Sequence, residues 1–328
     1  MTNQVEAGPE LGKIFQNILL FALVSFLPAL EWSVFGWMNG IVPLLAFVYL
    51  YKFGLRVGNR MILTGSALAL AAGLIFQRFE PMLISFSLIP PGYALAQAAI
   101  RRQSPALAGL KGFVTLGGCW LLLLVLFTAI HTASPYTVFL GALDQGIADA
   151  LTYYRQSDSV SPEALVVLET TLYQMKVILP LIMPAILAGF ALLTVWLAMA
   201  VGNKILYQIS GASPWPRYRA WQLPDRLVWL VIFSAIIALV PARPLQITGS
   251  NILILTSIIY CFQGLAVFSF FLHKWKIPLL LRSFLYVMIV FQSFGTVILL
   301  GTGLADVWLD FRKIRKPADP EITGSTSE

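Results

Sequence analysis

Long, unbroken apolar runs fill most of this chain, and they constrain its fold more than any other feature. Nine such runs are separated by short polar stretches. A segment inside hydrocarbon must satisfy its backbone hydrogen bonds internally, so only helices and closed barrels cross a membrane. The runs do not alternate between apolar and polar residues as barrel strands do, which favours helices. The expected fold class is therefore all-α, a polytopic transmembrane helical bundle with eight or nine spans.

The charges are few, and they are placed beside the apolar runs. Only 11% of the residues are charged, against about 25% in an ordinary soluble domain. The net charge of +7 could suggest nucleic acid, but the cations sit in short loops next to the runs, as the positive-inside rule describes. Membrane lipid is the expected partner, and nucleic acid is not.

The loop at 51–60 sets the orientation, because it holds Lys52, Arg56 and Arg60 between two runs. Such loops resist translocation, so this one is expected in the cytoplasm. Counting outward puts the 131–170 segment outside. The expected location is the inner (cytoplasmic) membrane of a bacterium. If all nine runs crossed, the basic tail 312–316 would also lie outside. The seventh run is the weakest span, since it has about 15 residues where about 20 are needed.

Five regions follow from this pattern. The outer segment carries an amphipathic helix, in which Phe139, Leu143, Ile147, Leu151 and Tyr154 recur at helical spacing. The sequence Ser161-Pro162-Glu163 then predicts a helix start. The regions are a polar N-terminal segment (1–13), an N-terminal membrane bundle (14–202, including the outer segment 131–170), a cytoplasmic loop (203–226), C-terminal membrane helices (227–311) and a basic, then disordered, tail (312–328).

Ionisable residues at membrane depth are costly, and so each one is a candidate for function. Lys176 could bind an anion from outside or extend to the interface, and it lies within reach of Glu169. Arg78 and Glu80 flank a short outer turn, where they could bind a ligand or only cap helices. The Pro90-Pro91-Gly92-Tyr93 stretch breaks a helix, either to line a cavity or for packing alone. The candidate ligand-binding residues are Glu31, Arg78, Glu80, Tyr93 and Lys176.

No motif in the sequence names a reaction. It has no phosphate-binding loop, no His-Glu-x-x-His and no Gly-x-Ser-x-Gly. Cys119 and Cys261 are isolated within apolar runs, which is not the spacing of a metal site. We therefore expect no enzyme activity, no metal and no cofactor. Gln263 and Gln292 are expected to form hydrogen bonds between helices.

Three patches carry a family resemblance. They are Tyr-Lys-Phe-Gly-Leu-Arg-Val-Gly at 51–58, Trp-Gln-Leu-Pro-Asp at 221–225, and Gly-Leu-Ala-Asp-Val-Trp-Leu-Asp-Phe-Arg-Lys at 303–313. The chain resembles the YybS-like family of uncharacterised bacterial membrane proteins, over about residues 14–316. That family is similar in fold to the substrate-binding S components of energy-coupling-factor transporters. The resemblance implies a six-helix bundle in runs one to six, to which runs seven to nine are an addition.

Two functions remain open from the sequence. The first is a transport-related or small-ligand-binding membrane protein, with a pocket near the outer face covered by the amphipathic helix at 137–154. The second is a scaffold that docks another membrane or cytoplasmic protein through the 203–226 loop and the basic tail. That loop and tail could also bind anionic lipid by charge alone.

Overall fold

The computed structural model describes residues 11–156 and 161–314, and every regular element in those two ranges is helical. The predicted all-α fold class is thereby confirmed. Residues 1–10, Asp158 and the tail from 315 onward lie outside the described residues. The disordered tail and the first part of the polar N-terminal segment therefore stay predictions.

The helices follow the predicted runs closely. Two short 3-10 helices, Gly36–Gly40 and Tyr218–Ala220, lie between them. The α-helices are α1 (Leu11–Leu30), α2 (Trp32–Phe35), α3 (Ile41–Ile75), α4 (Phe79–Phe86), α5 (Ile89–Ile100), α6 (Pro105–Ile130), α7 (Pro135–Arg155), α8 (Pro162–Ser210), α9 (Leu227–Leu239), α10 (Arg243–Lys274), α11 (Leu279–Phe291) and α12 (Ser293–Leu309).

The chain divides into two compact units. Unit 1 comprises Met1–Arg217 and Phe233–Leu255, and unit 2 comprises Tyr218–Ile232 and Thr256–Glu328. In unit 1, α3 is central and packs against α1, α5 and α8. Its fully buried side chains include Phe47 and Leu50. Because lipid is as apolar as these side chains, close packing and not the hydrophobic effect holds such helices together.

Within the described residues, six helices are long and apolar enough to cross a membrane, or seven spans are present if the bent pair α11–α12 forms one. This count is below the eight or nine predicted. One reason is that the second and third runs fall within a single 44-residue candidate, Trp32–Ile75. The other is that the seventh run forms only the 13-residue helix α9, too short for the roughly 20 residues a span needs. The bent pair turns by 95° at its break.

The long α3 reverses at Gly54, which has φ 78° and ψ 162°, a conformation restricted to glycine. A Cβ added at Gly58 would lie 2.7 Å from the Tyr49 carbonyl oxygen. In a straight helix those two residues would be about 13 Å apart along the axis. The loop that holds Lys52 and Arg56 is thus a sharp turn between two apolar segments.

The predicted amphipathic helix is present as α7, and its ion pairs show that it lies antiparallel to the first part of α8. Leu151 is buried, and Leu143 and Ile147 are partly buried in the same stripe. Tyr154, which was assigned to that stripe, is exposed, so this part of the prediction is wrong. Ser161 caps α8 by accepting a hydrogen bond from the Ala164 N–H at 3.3 Å, which confirms the predicted helix start.

Candidate functional site

Glu31, Arg78 and Glu80 all lie at helix ends and are exposed. They belong to the end of unit 1 that the sequence predicts to face outward, which we call the outer end. Glu31 caps α2 and accepts hydrogen bonds from the Ser33 N–H at 3.3 Å and the Ser33 hydroxyl at 2.6 Å. These two hydrogen bonds lower the pKa of Glu31, and the charge of Arg78 adds to the effect. Glu31 and Arg78 are therefore close enough for the charge of Arg78 to stabilise the ionised Glu31 carboxylate.

Glu80 does not pair with Arg78. Its carboxylate lies 3.3 Å from Nε2 of His131, at the end of α6. Glu80 thus joins the start of α4 to the α6–α7 turn, which agrees with the alternative in which this acid stabilises helix ends. The carboxylate stays exposed and accessible to a ligand from outside.

Lys176 has a different partner from the one expected. Its ammonium lies 3.0 Å from the Asp144 carboxylate on α7, while Glu169 pairs with Arg155 at 2.6 Å. The expectation that Lys176 reaches Glu169 along one face of α8 is therefore wrong. Two ion pairs instead cross the α7–α8 hairpin. The charge of Lys176 is already balanced, so an anionic ligand would have to displace Asp144.

Tyr93 is not part of the outer group. Its hydroxyl donates a hydrogen bond to the side-chain oxygen of Asn59, beside the loop expected in the cytoplasm. The helix break predicted at Pro90-Pro91-Gly92 is present, between α4 and α5. Both prolines lie in the first turn of α5, where a missing N–H costs nothing.

The break serves packing. A Cβ added at Gly92 would lie 2.8 Å from the Pro43 carbonyl oxygen and 2.5 Å from the Ala46 Cβ. Helix α5 therefore touches the backbone of α3 at this point, and only glycine fits the contact. Of the two alternatives for this stretch, this contact favours a packing kink over a cavity lining.

An open depression follows one face of α8 near its outer end. Its volume is about 710 Å³, and it is lined by Thr170, Tyr173, Gln174, Val177 and Ile178. None of the five candidate residues lines it, although Lys176 belongs to the same two turns. Tyr173 and Val177 are 62% and 57% exposed. The lining is mostly apolar, with one amide and two hydroxyls for orientation.

The backbone hydrogen bonds of α8 are interrupted directly C-terminal to the residues that line the depression. Pro180 and Pro184 each remove an N–H donor from the helix. The Asn251 side chain of α10 enters the gap, where it accepts from the Ala185 N–H at 2.9 Å and donates to the Leu181 carbonyl at 2.8 Å. Side-chain insertion into the ladder is an established cause of helix kinks. The amide thus replaces a backbone hydrogen bond deep in an apolar environment.

Unit 2 contains a buried ionic cluster that no candidate residue anticipated. Arg312 donates to the Asp306 carboxylate at 2.8 Å, and to the carbonyls of Arg219 and Trp221 at 2.8 and 2.9 Å. The amide of Gln263 donates to the same Asp306 oxygen at 2.8 Å, which confirms its expected role between helices. The side chains of Arg312 and Asp306 are only 0% and 2% exposed.

Unit 2 is also tightly packed around this cluster. A Cβ at Gly303 of α12 would collide with the Tyr260 carbonyl oxygen of α10. The two helices therefore approach backbone to backbone one turn before Asp306. The sequence contains one indication of this cluster, because Asp306 and Arg312 both lie in the 303–313 patch that carries the family resemblance.

Metal chemistry gains no support from the geometry. Among the described residues, no three His, Cys, Asp or Glu side chains gather as metal ligands would. Cys119 and Cys261 are free thiols. The chemistry that the described residues offer is ion pairing, hydrogen bonding and apolar contact.

The comparisons with known proteins give one finding. No curated protein and no solved structure matches the chain. One family does match, and it is described as a predicted membrane protein family of unknown function. The match runs from residue 17 to residue 307, which includes all the described helices except the ends of α1 and α12. The chain is therefore a member of the DUF2232 family of predicted, multi-pass membrane proteins.

Proposed function

We propose that this protein binds a small ligand at its outer face and takes part in transport. The observation that carries the proposal is the open depression on α8, about 710 Å³ in volume. Ligand sites in proteins usually have about 300–1,000 Å³, a mainly apolar lining and a few polar groups that set orientation. Tyr173, Val177 and Ile178 supply the apolar lining, and Gln174 supplies an amide.

The lining favours a neutral or amphiphilic ligand over a simple anion. Lys176 is the cation nearest to the depression along α8, and its charge is paired with Asp144 at 3.0 Å. An anion would have to replace that carboxylate, whereas an apolar group would cover Tyr173 and Val177 without breaking any ion pair. The outer candidates Glu31, Arg78 and Glu80 would then act at the entrance, and Tyr93 would support the fold.

The finer parts of the assignment belong to this proposal. We place the protein in the cytoplasmic membrane of a bacterium, and we propose that it acts without catalysis. An S-component-like bundle in residues 14–202 would present the site toward the outside. The central position of α3 among α1, α5 and α8 supports a compact bundle in that part of the chain.

The scaffold alternative finds less support. It requires that the 203–226 loop be available to a cytoplasmic partner. Trp215 of this loop is buried, and its N–H is bonded to Asn203 at 3.0 Å. The carbonyls of Arg219 and Trp221 accept hydrogen bonds from Arg312. Much of the loop is thus occupied with its own chain.

The experiment is native mass spectrometry of the full chain, purified gently from its own membrane. A stoichiometric small-molecule adduct is the expected result. Val177→Ser should reduce its occupancy, because it places a hydroxyl in the depression. Val167→Ser is the matched control, since Val167 is on the same helix, is 66% exposed and does not line the depression.

Equal adduct occupancy in the two variants would overturn the proposed site. A protein that carries only mixed lipids or a partner subunit would overturn ligand binding itself. Both variants change an exposed valine to serine on one helix, so their effects on folding cancel in the comparison.

A further inference from the structure

The charged side chains at the inner end of unit 1, the end opposite to Glu31 and Glu80, are positive. This end carries exposed cations in three places, the 51–60 turn, the α5–α6 turn and the end of α8. The described carboxylates of unit 1 all lie at or near the outer end, in the α1–α2 and α3–α4 turns and in the α7–α8 hairpin: they are Glu31, Glu80, Asp144, Asp149, Glu163 and Glu169. In the described chain, the cations in these three places have no carboxylate of their own unit beside them.

Four of these cations surround a rigid loop. We name the group the Trp215 platform, and it consists of Arg101, Arg102, Lys204 and Arg217 around Trp215. The indole N–H of Trp215 donates to the Gln103 carbonyl at 3.0 Å, which fixes the loop beside Arg101 and Arg102. The Trp215 ring also stacks on Phe47, with 5.3 Å between ring centres.

Asn203 holds the loop from the other side. Its side-chain oxygen accepts from the Trp215 N–H at 3.0 Å, and its amide donates to the carbonyls of Trp215 and Pro216 at 3.1 and 3.2 Å. Lys204 follows Asn203 directly and is exposed. The Arg217 guanidinium lies 5.6 Å from the centre of the Tyr207 ring. The platform cations are thus presented by ordered backbone.

The backbone at Arg102 gives an independent indication. Arg102 has φ 53°, the left-handed conformation that usually falls to glycine at the end of a helix. The Gln103 N–H reaches back to the Ala98 carbonyl at 3.0 Å, and the Arg102 N–H to that of Ala99 at 3.0 Å, so this turn is a Schellman motif. A non-glycine residue costs roughly 1–2 kcal/mol in this conformation. The side chain is therefore retained against a local strain.

The same motif ends two other helices of the described chain. The residue in the left-handed position is Gln77 at the outer end of α3 and Lys276 at the end of α10. A helix C-terminus favours a cation on either side, yet the outer motif carries a neutral amide. The motif alone therefore does not require a charged residue.

We propose that the Trp215 platform binds the phosphate of an anionic phospholipid headgroup in the inner leaflet. The platform follows directly on the ends of α5 and α8, at the depth where headgroups lie. Tyr207, which is 48% exposed, is of a residue type that favours this interface. Each Lys or Arg near an anionic leaflet adds about 1 kcal/mol of attraction, and arginine matches phosphate through two parallel hydrogen bonds.

The test compares the full chain with two double variants in native mass spectrometry, titrated with phosphatidylglycerol or with phosphatidylcholine. The first variant is Arg101→Gln with Arg102→Gly, in which glycine also relieves the backbone strain. The second is Lys274→Gln with Lys276→Gly, which removes two cations at the equivalent turn after α10. A melting temperature of the first variant at or above that of the wild type is expected, and it would show that the fold is intact.

The wild type is expected to prefer phosphatidylglycerol. The platform variant should bind it about 25-fold more weakly, from about fivefold for each charge, and the control variant should retain the wild-type affinity. An equal loss in both variants would overturn the platform as a specific site. Equal affinity of the wild type for phosphatidylglycerol and phosphatidylcholine, or retention of an acidic protein in place of lipid, would also overturn the proposal.

Discussion

Two ion pairs in this protein have nearly the same length but very different surroundings. Arg312 and Asp306 of unit 2 are 2.8 Å apart, with side chains 0% and 2% exposed. Lys176 and Asp144 of unit 1 are 3.0 Å apart, with side chains 46% and 53% exposed. The contact distance does not distinguish them, and so the environment must determine what each pair contributes.

The buried pair belongs to a wider hydrogen-bond network, although Oδ1 of Asp306 and Nε of Arg312 form no hydrogen bond. Arg312 also donates to two backbone carbonyls, and Asp306 also accepts from Gln263. Removal of one partner would leave a charge without water and without a counter-ion, which usually costs 3–5 kcal/mol. The exposed pair keeps its water, and pairs of this kind usually contribute 0.2–1 kcal/mol. The comparison predicts mutational effects of very different size for the two pairs.

The largest effect is expected for Arg312→Ala. It should lower the free energy of unfolding by about 3–5 kcal/mol, because the Asp306 carboxyl group would remain buried without its counter-ion. Thermal unfolding in detergent would measure this loss. Replacing both partners, with Asp306→Leu and Arg312→Met, should cost less than Arg312→Ala alone. If the single variant melted like the wild type, the buried pair would not stabilise the fold.

A much smaller effect is expected for Lys176→Ala. The free energy of unfolding should change by no more than about 1 kcal/mol, since the pair is screened by water. A double-mutant cycle with Asp144→Ala would isolate the coupling between the two side chains. The coupling should decrease as salt is added. A coupling free energy between Lys176 and Asp144 as large as the stability loss in Arg312→Ala would contradict the expected difference between the exposed and the buried pair.

The smallest effect is expected at Glu31, whose carboxylate accepts two hydrogen bonds from Ser33. Hydrogen bonds from Ser33 hold the pKa of Glu31 below its usual 4.5. The stabilisation is therefore present above the unfolded-state pKa and is lost as the pH falls through the folded-state pKa. Ser33→Ala should bring the pKa back toward its usual value, so that stability falls less on acidification. Melting temperatures of both forms from neutral to acidic pH would measure the difference, and parallel curves would contradict it.

The fold could be predicted because its determinants are local. The lengths of the apolar runs predicted helices, and Ser161-Pro162 predicted where α8 begins. The number of spans could not be predicted in the same way, because the turn at Gly54 and the shortness of α9 depend on the path of the backbone. Gln263 was expected to bond between helices, but nothing in its own run named Asp306 as the acceptor.

The site was less predictable, because it depends on which side chains meet. The partner of Lys176 is set by the register of α7 against α8, which the apolar stripe leaves open by a turn. Arg312 follows the last span, where a cation normally indicates an interface. Its burial depends on the carbonyls of Arg219 and Trp221, some ninety positions earlier in the chain. Such contacts between distant segments leave no periodic pattern.

The length of α8 has a mechanical consequence. Its 49 residues form a rod of about 73 Å, whereas a bilayer core of about 30 Å needs only about 20 of them. With the basic end of the rod held at Asn203, an arm of about 30 Å extends outward beyond Pro180 and Pro184. The opened ladder at Asn251 lies at the foot of this arm and would act as its pivot. A rotation of about 10° there would move the tip by about 5 Å, so that a slight rearrangement among the spanning helices is magnified where the outer face meets its surroundings.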